Sequence, residues 1–113
     1  MGGDSMTDNL LTRTEIAYFA QCLAHTFNLR LVMLFGSYAT GKARSDSDVD
    51  FIVSRSDGLQ LTNEQYFEIE QFASKYLHKN VHVTDLEYLR LTEKEEETRR
   101  FLTQVKQEAL RYV

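Results

Sequence analysis

Residues 31–53, LVMLFGSYATGKARSDSDVDFIV, decide how this chain is read. Residues 31–35 form a continuous apolar run of strand length, stopped by Gly36. Residues 49–53 form a second apolar run, reached from a polar loop. The triplet Asp48-Val49-Asp50 sets two acids at period 2. A strand would put both on one face, roughly 6.6 Å apart at a rise of ~3.3 Å per residue. Two such carboxylates repel each other and resist desolvation unless positive charge stands between them. A divalent cation meets that need, and hard oxygen ligands select Mg²⁺ or Mn²⁺ over soft metals.

Gly36-Ser37 supplies the other half of a site. A glycine directly after a buried strand lets the backbone turn sharply and lets a ligand approach closely. If a helix starts near Tyr38, Ser37 is a natural N-cap, and the free N–H groups there favour a phosphate. One unit thus offers a polyphosphate cradle and a metal-binding pair. The ligand that would bridge them is a nucleoside triphosphate with its metal ion.

The segment Gly36-Ser37-Tyr38-Ala39, then Gly41, Ala43, Arg44 and Ser45-Asp46-Ser47-Asp48-Val49-Asp50, resembles the signature of the polymerase-β-like nucleotidyltransferases. In that signature Gly-Ser is followed by a spacer of about ten residues and then Asp-x-Asp. The chain is most similar to the minimal nucleotidyltransferases, small one-domain members of the superfamily. Gly-Ser and Asp-x-Asp are each common by chance. At this spacing, each beside an apolar strand, they are specific.

The rest of the chain bounds the possibilities. Its 113 residues suit one domain, residues 1–113, with residues 1–8 read as a flexible start. Hydrophobic and charged contents of 42% and 27% are those of a globular protein. A net charge of −4 gives no global basic field, so long nucleic acid is not an expected partner. Cys22 is the only cysteine and cannot form an internal disulfide, which fits a reducing, cytoplasmic setting. No run is long and apolar enough for a membrane span, and no signal peptide opens the chain.

Flanking patterns supply the layers. Residues 14–28 carry apolar positions Ile16, Phe19, Ala20, Leu23, Ala24 and Phe27 at helical spacing, with Thr12 or Thr14 as cap and Asn28 as stop. Cys22 and His25 lie at the edge of that stripe and read as packing and surface residues. Residues 29–35 and 49–53 are strands, the second with Val49 and Phe51 turned inward. Asp57-Gly58 marks a turn. Residues 62–79 read as a helix opened by a Thr62-x-x-Gln65 capping box. Its expected inner face is Phe67, Ile69, Phe72, Ala73, Tyr76 and Leu77, and Asn80 its left-handed stop. Residues 81–84 alternate as a third strand. Thr92-x-x-Glu95 suggests a further capping box for a last helix running to about Tyr112. The charge run at residues 93–100 reads as a solvated helix face. The whole predicts an α+β, two-layer α/β fold, a small mixed sheet packed with helices.

The resemblance implies transfer of a nucleoside monophosphate, AMP by preference, from an NTP to an acceptor hydroxyl. Asp48 and Asp50 would be catalytic and hold Mg²⁺, while Gly36, Ser37 and Arg44 would contact the nucleotide. Relatives usually add a third carboxylate on the third strand, and the matching position here is His82. An imidazole is a poor Mg²⁺ ligand. Asp85 stands nearby, but alternation turns it to the other face. Thr40 occupies a position where many relatives have arginine. Minimal nucleotidyltransferases of this size often serve as antitoxins beside HEPN-domain toxins, transferring AMP to a toxin tyrosine. That makes a HEPN toxin the implied partner. The competing expectation is a degenerate relative that acts by binding a partner. A homo-oligomer remains open, since 12% aromatic content leaves exposed surface for self-association.

Overall fold

The computed structural model describes residues 10–113, so the expectation for residues 1–8 lies outside the described part. Helix α1, Arg13–Phe27, opens with a capping box: Glu15 N–H donates to Thr12 Oγ1 at 3.0 Å and Thr12 N–H to Glu15 Oε1 at 2.8 Å. It stops at Asn28, whose φ of 54° is left-handed. Strand β1, Leu29–Phe35, follows at once, then a short helix α2, Ser37–Thr40. Strand β2 is Val49–Arg55, helix α3 Asn63–Leu77 and strand β3 Val81–Asp85. Helix α4, Leu86–Leu91, helix α5, Glu96–Glu108, and strand β4, Leu110–Arg111, complete the chain.

The sheet order is β3-β2-β1-β4. β1 runs antiparallel to β2 and β4, while β2 and β3 are parallel. One face of the sheet, with Val32, Leu34, Val49, Phe51 and Val53, packs against α1 and α3. The rings of Phe19 and Phe51 meet at 6.1 Å between centroids, and Phe19 stacks on Phe72 at 5.9 Å. Phe19, Phe51 and Leu34 are all but fully buried. Each such side chain contributes about 1.5–3 kcal/mol of transfer free energy. This is the expected mixed sheet with helices, an α+β fold. Ile52 points to the opposite face, where it is buried apart from the main core, as are Leu89 and Val105 of α4 and α5.

Several local expectations need correction. α3 has its Thr62–Gln65 capping box, but it ends at His78 (φ 56°), not at Asn80. Phe67 faces solvent and Tyr76 is half-exposed; Tyr66 is the partly buried neighbour instead. Residues 86–91 are helical because Asp85 caps α4, accepting from Glu87 N–H at 3.0 Å. Thr92 does not open the last helix. Its hydroxyl donates back to the Tyr88 carbonyl at 3.1 Å, and α5 starts beyond Glu95, which makes no side-chain cap. α5 ends at Glu108 rather than Tyr112, because the chain then turns extended and pairs with the free edge of β1.

Candidate active site

The antiparallel pairing of β1 and β2 fixes the site. Phe35, the last residue of β1, lies opposite Asp50, so the turn after β1 meets the start of β2. Gly36 makes that turn with φ 77° and ψ −155°, a region open only to glycine. A Cβ there would collide with the Asp50 carboxylate. The missing side chain is therefore what lets the Asp50 carboxylate lie directly against the turn. Gly36, not Ser37, caps α2; Ser37 is its first helical residue and its hydroxyl makes no cap bond. The leading N–H groups of α2 start beside Asp50, since a helix leaves its first amides without intrahelical partners.

Asp48 precedes β2 with the same parity as Asp50. Its Oδ2 lies 3.1 Å from His82 Nε2. His82 is also the register partner of Asp50 across the parallel β2–β3 pair. The three side chains thus share one edge of the sheet face, with His82 exposed and the two acids part-exposed. Burial raises the pKa of Asp50 above its ordinary value; His82 pulls it down and Asp48 pushes it up. Among the described residues no donor hydrogen-bonds the Asp50 carboxylate. No lysine or arginine forms a salt bridge with either acid in that set.

A polar cleft of about 460 Å³ opens beside Asp48, bounded by the loop of Ser45 and Asp46 and by Ser74, His78 and Lys79 at the end of α3. Lys79 Nζ donates to the Ser45 carbonyl and pins that loop. Arg44 is exposed in the same loop, where its N–H donates to Ser47 Oγ at 2.8 Å. Asp85 is excluded from the cleft. It is 1% exposed and accepts from the Leu61 and Glu87 amides at 2.7 and 3.0 Å.

Three supporting residues carry little sequence signal. Arg13 of α1 donates to the carbonyls of Ala39 (2.7 Å) and Tyr38 (3.4 Å), bracing α2 from behind. Glu70 of α3 accepts from Val83 N–H at 2.9 Å on the outer edge of β3, beside His82. Lys79 is the third. All act through contacts between residues far apart in the chain. The only readable sign was Arg13 in the first turn of a helix, where an acid is the commoner choice.

The donor set of two carboxylates and an imidazole suits a divalent cation chemically. Among the described residues, however, no group of three or more His, Cys, Asp or Glu converges closely enough to hold an ion unaided. A metal ion there would need further oxygen ligands, which a bound polyphosphate supplies. No helix of the described residues is long and apolar enough to cross a membrane.

Comparison with known proteins agrees with this fold. The family described as Polymerase beta, Nucleotidyltransferase, matches residues 19–106. No curated protein matches the chain. Among solved structures, a toxin–antitoxin with AMP-PNP is similar at 24% identity and a TM-score of 0.68, covering 86% of this chain and 72% of that one. The structure of tri-AMPylated Shewanella oneidensis HEPN toxin in complex with MNT antitoxin matches at 22% identity and TM-score 0.59, covering 86% and 68%. The toxin–antitoxin MntA-HepT matches at 21% identity and TM-score 0.60, again covering 86% and 68%. At these identities the structural likeness is one of fold. With the Gly-Ser turn, the Asp-x-Asp strand and a family match over most of its length, the chain belongs to the polymerase-β-type nucleotidyltransferases.

Proposed function

We propose that the protein transfers AMP from ATP to a hydroxyl of a protein partner, a tyrosine of a HEPN-type toxin, and so acts as an antitoxin in the cytoplasm. The observation that carries this reading is the Asp50 carboxylate seated against the Gly36 turn, with Asp48 beside it. The AMP, and the HEPN partner, come from the solved neighbours, one with AMP-PNP and one with a tri-AMPylated toxin.

In this reading Asp48 and Asp50 hold a divalent ion, Mg²⁺ in the usual case. When bound, that ion supplies charge neutralisation on the triphosphate and on the departing pyrophosphate. Gly36 and Ser37 orient the terminal phosphates through the backbone N–H groups that open α2, which a helix start leaves without intrahelical partners. Arg44, exposed on the loop between turn and acids, is free to reach a phosphate oxygen with its planar fork. The cleft beside Asp48 is open, and a protein acceptor would close over it.

One observation favours a second reading. His82 contacts Asp48 at the position where the family resemblance implies an acid, so a chain that docks on its partner without turnover would keep the same fold. Incubation with ATP, Mg²⁺ or Mn²⁺ and a HEPN toxin encoded alongside, followed by intact-protein mass measurement, decides between them. The transferase predicts added AMP units on the toxin, lost in Asp48→Ala. An unmodified toxin that still forms a stable complex would favour the docking protein.

A further inference from the structure

His82 is the one side chain of the candidate site that does not belong in a magnesium site. Its Nε2 stands 3.1 Å from Asp48 Oδ2, and its backbone is registered directly against Asp50. Adjacent ligands of an octahedral ion, each about 2.0–2.2 Å from it, stand about 2.8–3.1 Å apart. The Asp48–His82 spacing is therefore one that a single ion could bridge.

The rest of the surroundings limits the choice of ion. Glu70 is engaged by the Val83 amide, and Asp85 by two amides, so neither is free to add a third carboxylate. Among the described residues no three His, Cys, Asp or Glu side chains converge, which leaves the remaining positions to phosphate and water oxygens. An ion held here would accept one imidazole nitrogen, one or two carboxylates and several hard oxygens. Mg²⁺ holds its water tightly and takes nitrogen poorly. Mn²⁺ suits carboxylate and water oxygens as Mg²⁺ does, but as a first-row transition ion it accepts an imidazole nitrogen more readily.

We infer that His82, acting with Asp48, makes this a mixed nitrogen–oxygen site that selects Mn²⁺ over Mg²⁺. The inference rests on the nucleotidyltransferase reading above and specifies which ion that reading uses. Replacing a metal ligand or its immediate partner commonly changes affinity by about 10–100-fold.

The test uses the full chain with AMP-PNP. Binding of Mn²⁺ is followed by the loss of free-ion EPR signal beyond that caused by AMP-PNP alone, and Mg²⁺ affinity by its competition with Mn²⁺. The ratio of Mn²⁺ to Mg²⁺ affinity is expected to fall roughly tenfold in His82→Asp, with Mg²⁺ binding gained. Pulsed EPR of the Mn²⁺ complex should show a directly bound ¹⁴N nucleus that disappears in His82→Ala. His82 is exposed, so both variants should retain the far-ultraviolet circular dichroism of the parent. Absence of the ¹⁴N coupling together with an unchanged ratio in His82→Asp would overturn the inference. If Asp48→Ala still lost Mn²⁺ in that event, the nucleotidyltransferase reading would stand alone. Mn²⁺ binding untouched by both Asp48→Ala and Asp50→Ala would overturn the two together.

Discussion

The parallel pair β2–β3 carries acidic groups at both ends, and the two ends are built on opposite terms. At the far end Asp85 is almost fully buried, yet two backbone amides satisfy it. Next to it Glu87 accepts from Ser54 at 2.7 Å and from Arg30 at 2.8 Å, with Arg90 at 3.5 Å. These bonds hold Glu87 below its ordinary pKa, the Ser54 hydroxyl contributing most. At the near end Asp50 is less buried than Asp85 but has no such partner, and its pKa is raised. An acid whose charge is answered by fixed donors is part of the scaffold. An acid whose charge is left for something outside the chain to answer is part of a site.

Substitution at the two ends should therefore have opposite consequences, and the largest effect belongs to the scaffold end. Asp85→Ala strands two buried amides, each worth about 1–3 kcal/mol, so the melting temperature should fall by roughly 10 °C or more. Asp48→Ala and Asp50→Ala should melt close to the parent yet lose metal-dependent ATP binding by about 100-fold in calorimetric titration. Comparable unfolding in all three variants would erase the distinction between the ends.

Gly36→Ala sharpens the same contrast, since it touches both terms. Its left-handed φ costs about 1–3 kcal/mol in a non-glycine residue. Its methyl group also displaces the Asp50 carboxylate. Thermal unfolding should show a moderate loss of stability and titration a disproportionate loss of ATP affinity. A variant that melts early but binds as the parent does would detach the turn from the site.

The smallest effects are those of pH, and their signs should differ between the ends. Asp50 has a raised pKa in the fold, so its favourable contribution is complete below the unfolded value of about 3.9 and is lost as pH rises through the folded value. Without metal, Asp50→Asn should accordingly raise the melting temperature slightly at pH 7 and lose that gain in acid. Glu87 is depressed, so its contribution is present above the unfolded value of about 4.3 and is lost as pH falls through the folded one. Glu87→Gln should lower stability at pH 7 and approach the parent in acid. Melting curves of the two variants from pH 3 to 7 that bend the same way would contradict the assignment.

The near end was legible in the sequence and much of the far end was not. Gly36, Asp48, Asp50 and the apolar runs beside them follow from local rules of strand alternation and turn chemistry. The same rules put His82 on the acidic face and Asp85 on the other. They failed where distant contacts decide. α4 is only six residues long and exists because Asp85 ties its first turn to the Leu61 amide. β4 is a two-residue strand made by the edge of β1, not by any propensity of Leu110 or Arg111. Thr92-x-x-Glu95 has the letters of a capping box, but the Thr92 hydroxyl bonds backwards to α4. Arg44 lies between turn and acids in the sequence, and its side chain is exposed there.

The brace from Arg13 to the carbonyls of Ala39 and Tyr38 links the first turn of α1 to the glycine corner. Anything that perturbs that first turn, such as a purification tag fused close upstream or a cut that removes Arg13, therefore reaches the glycine corner at a distance.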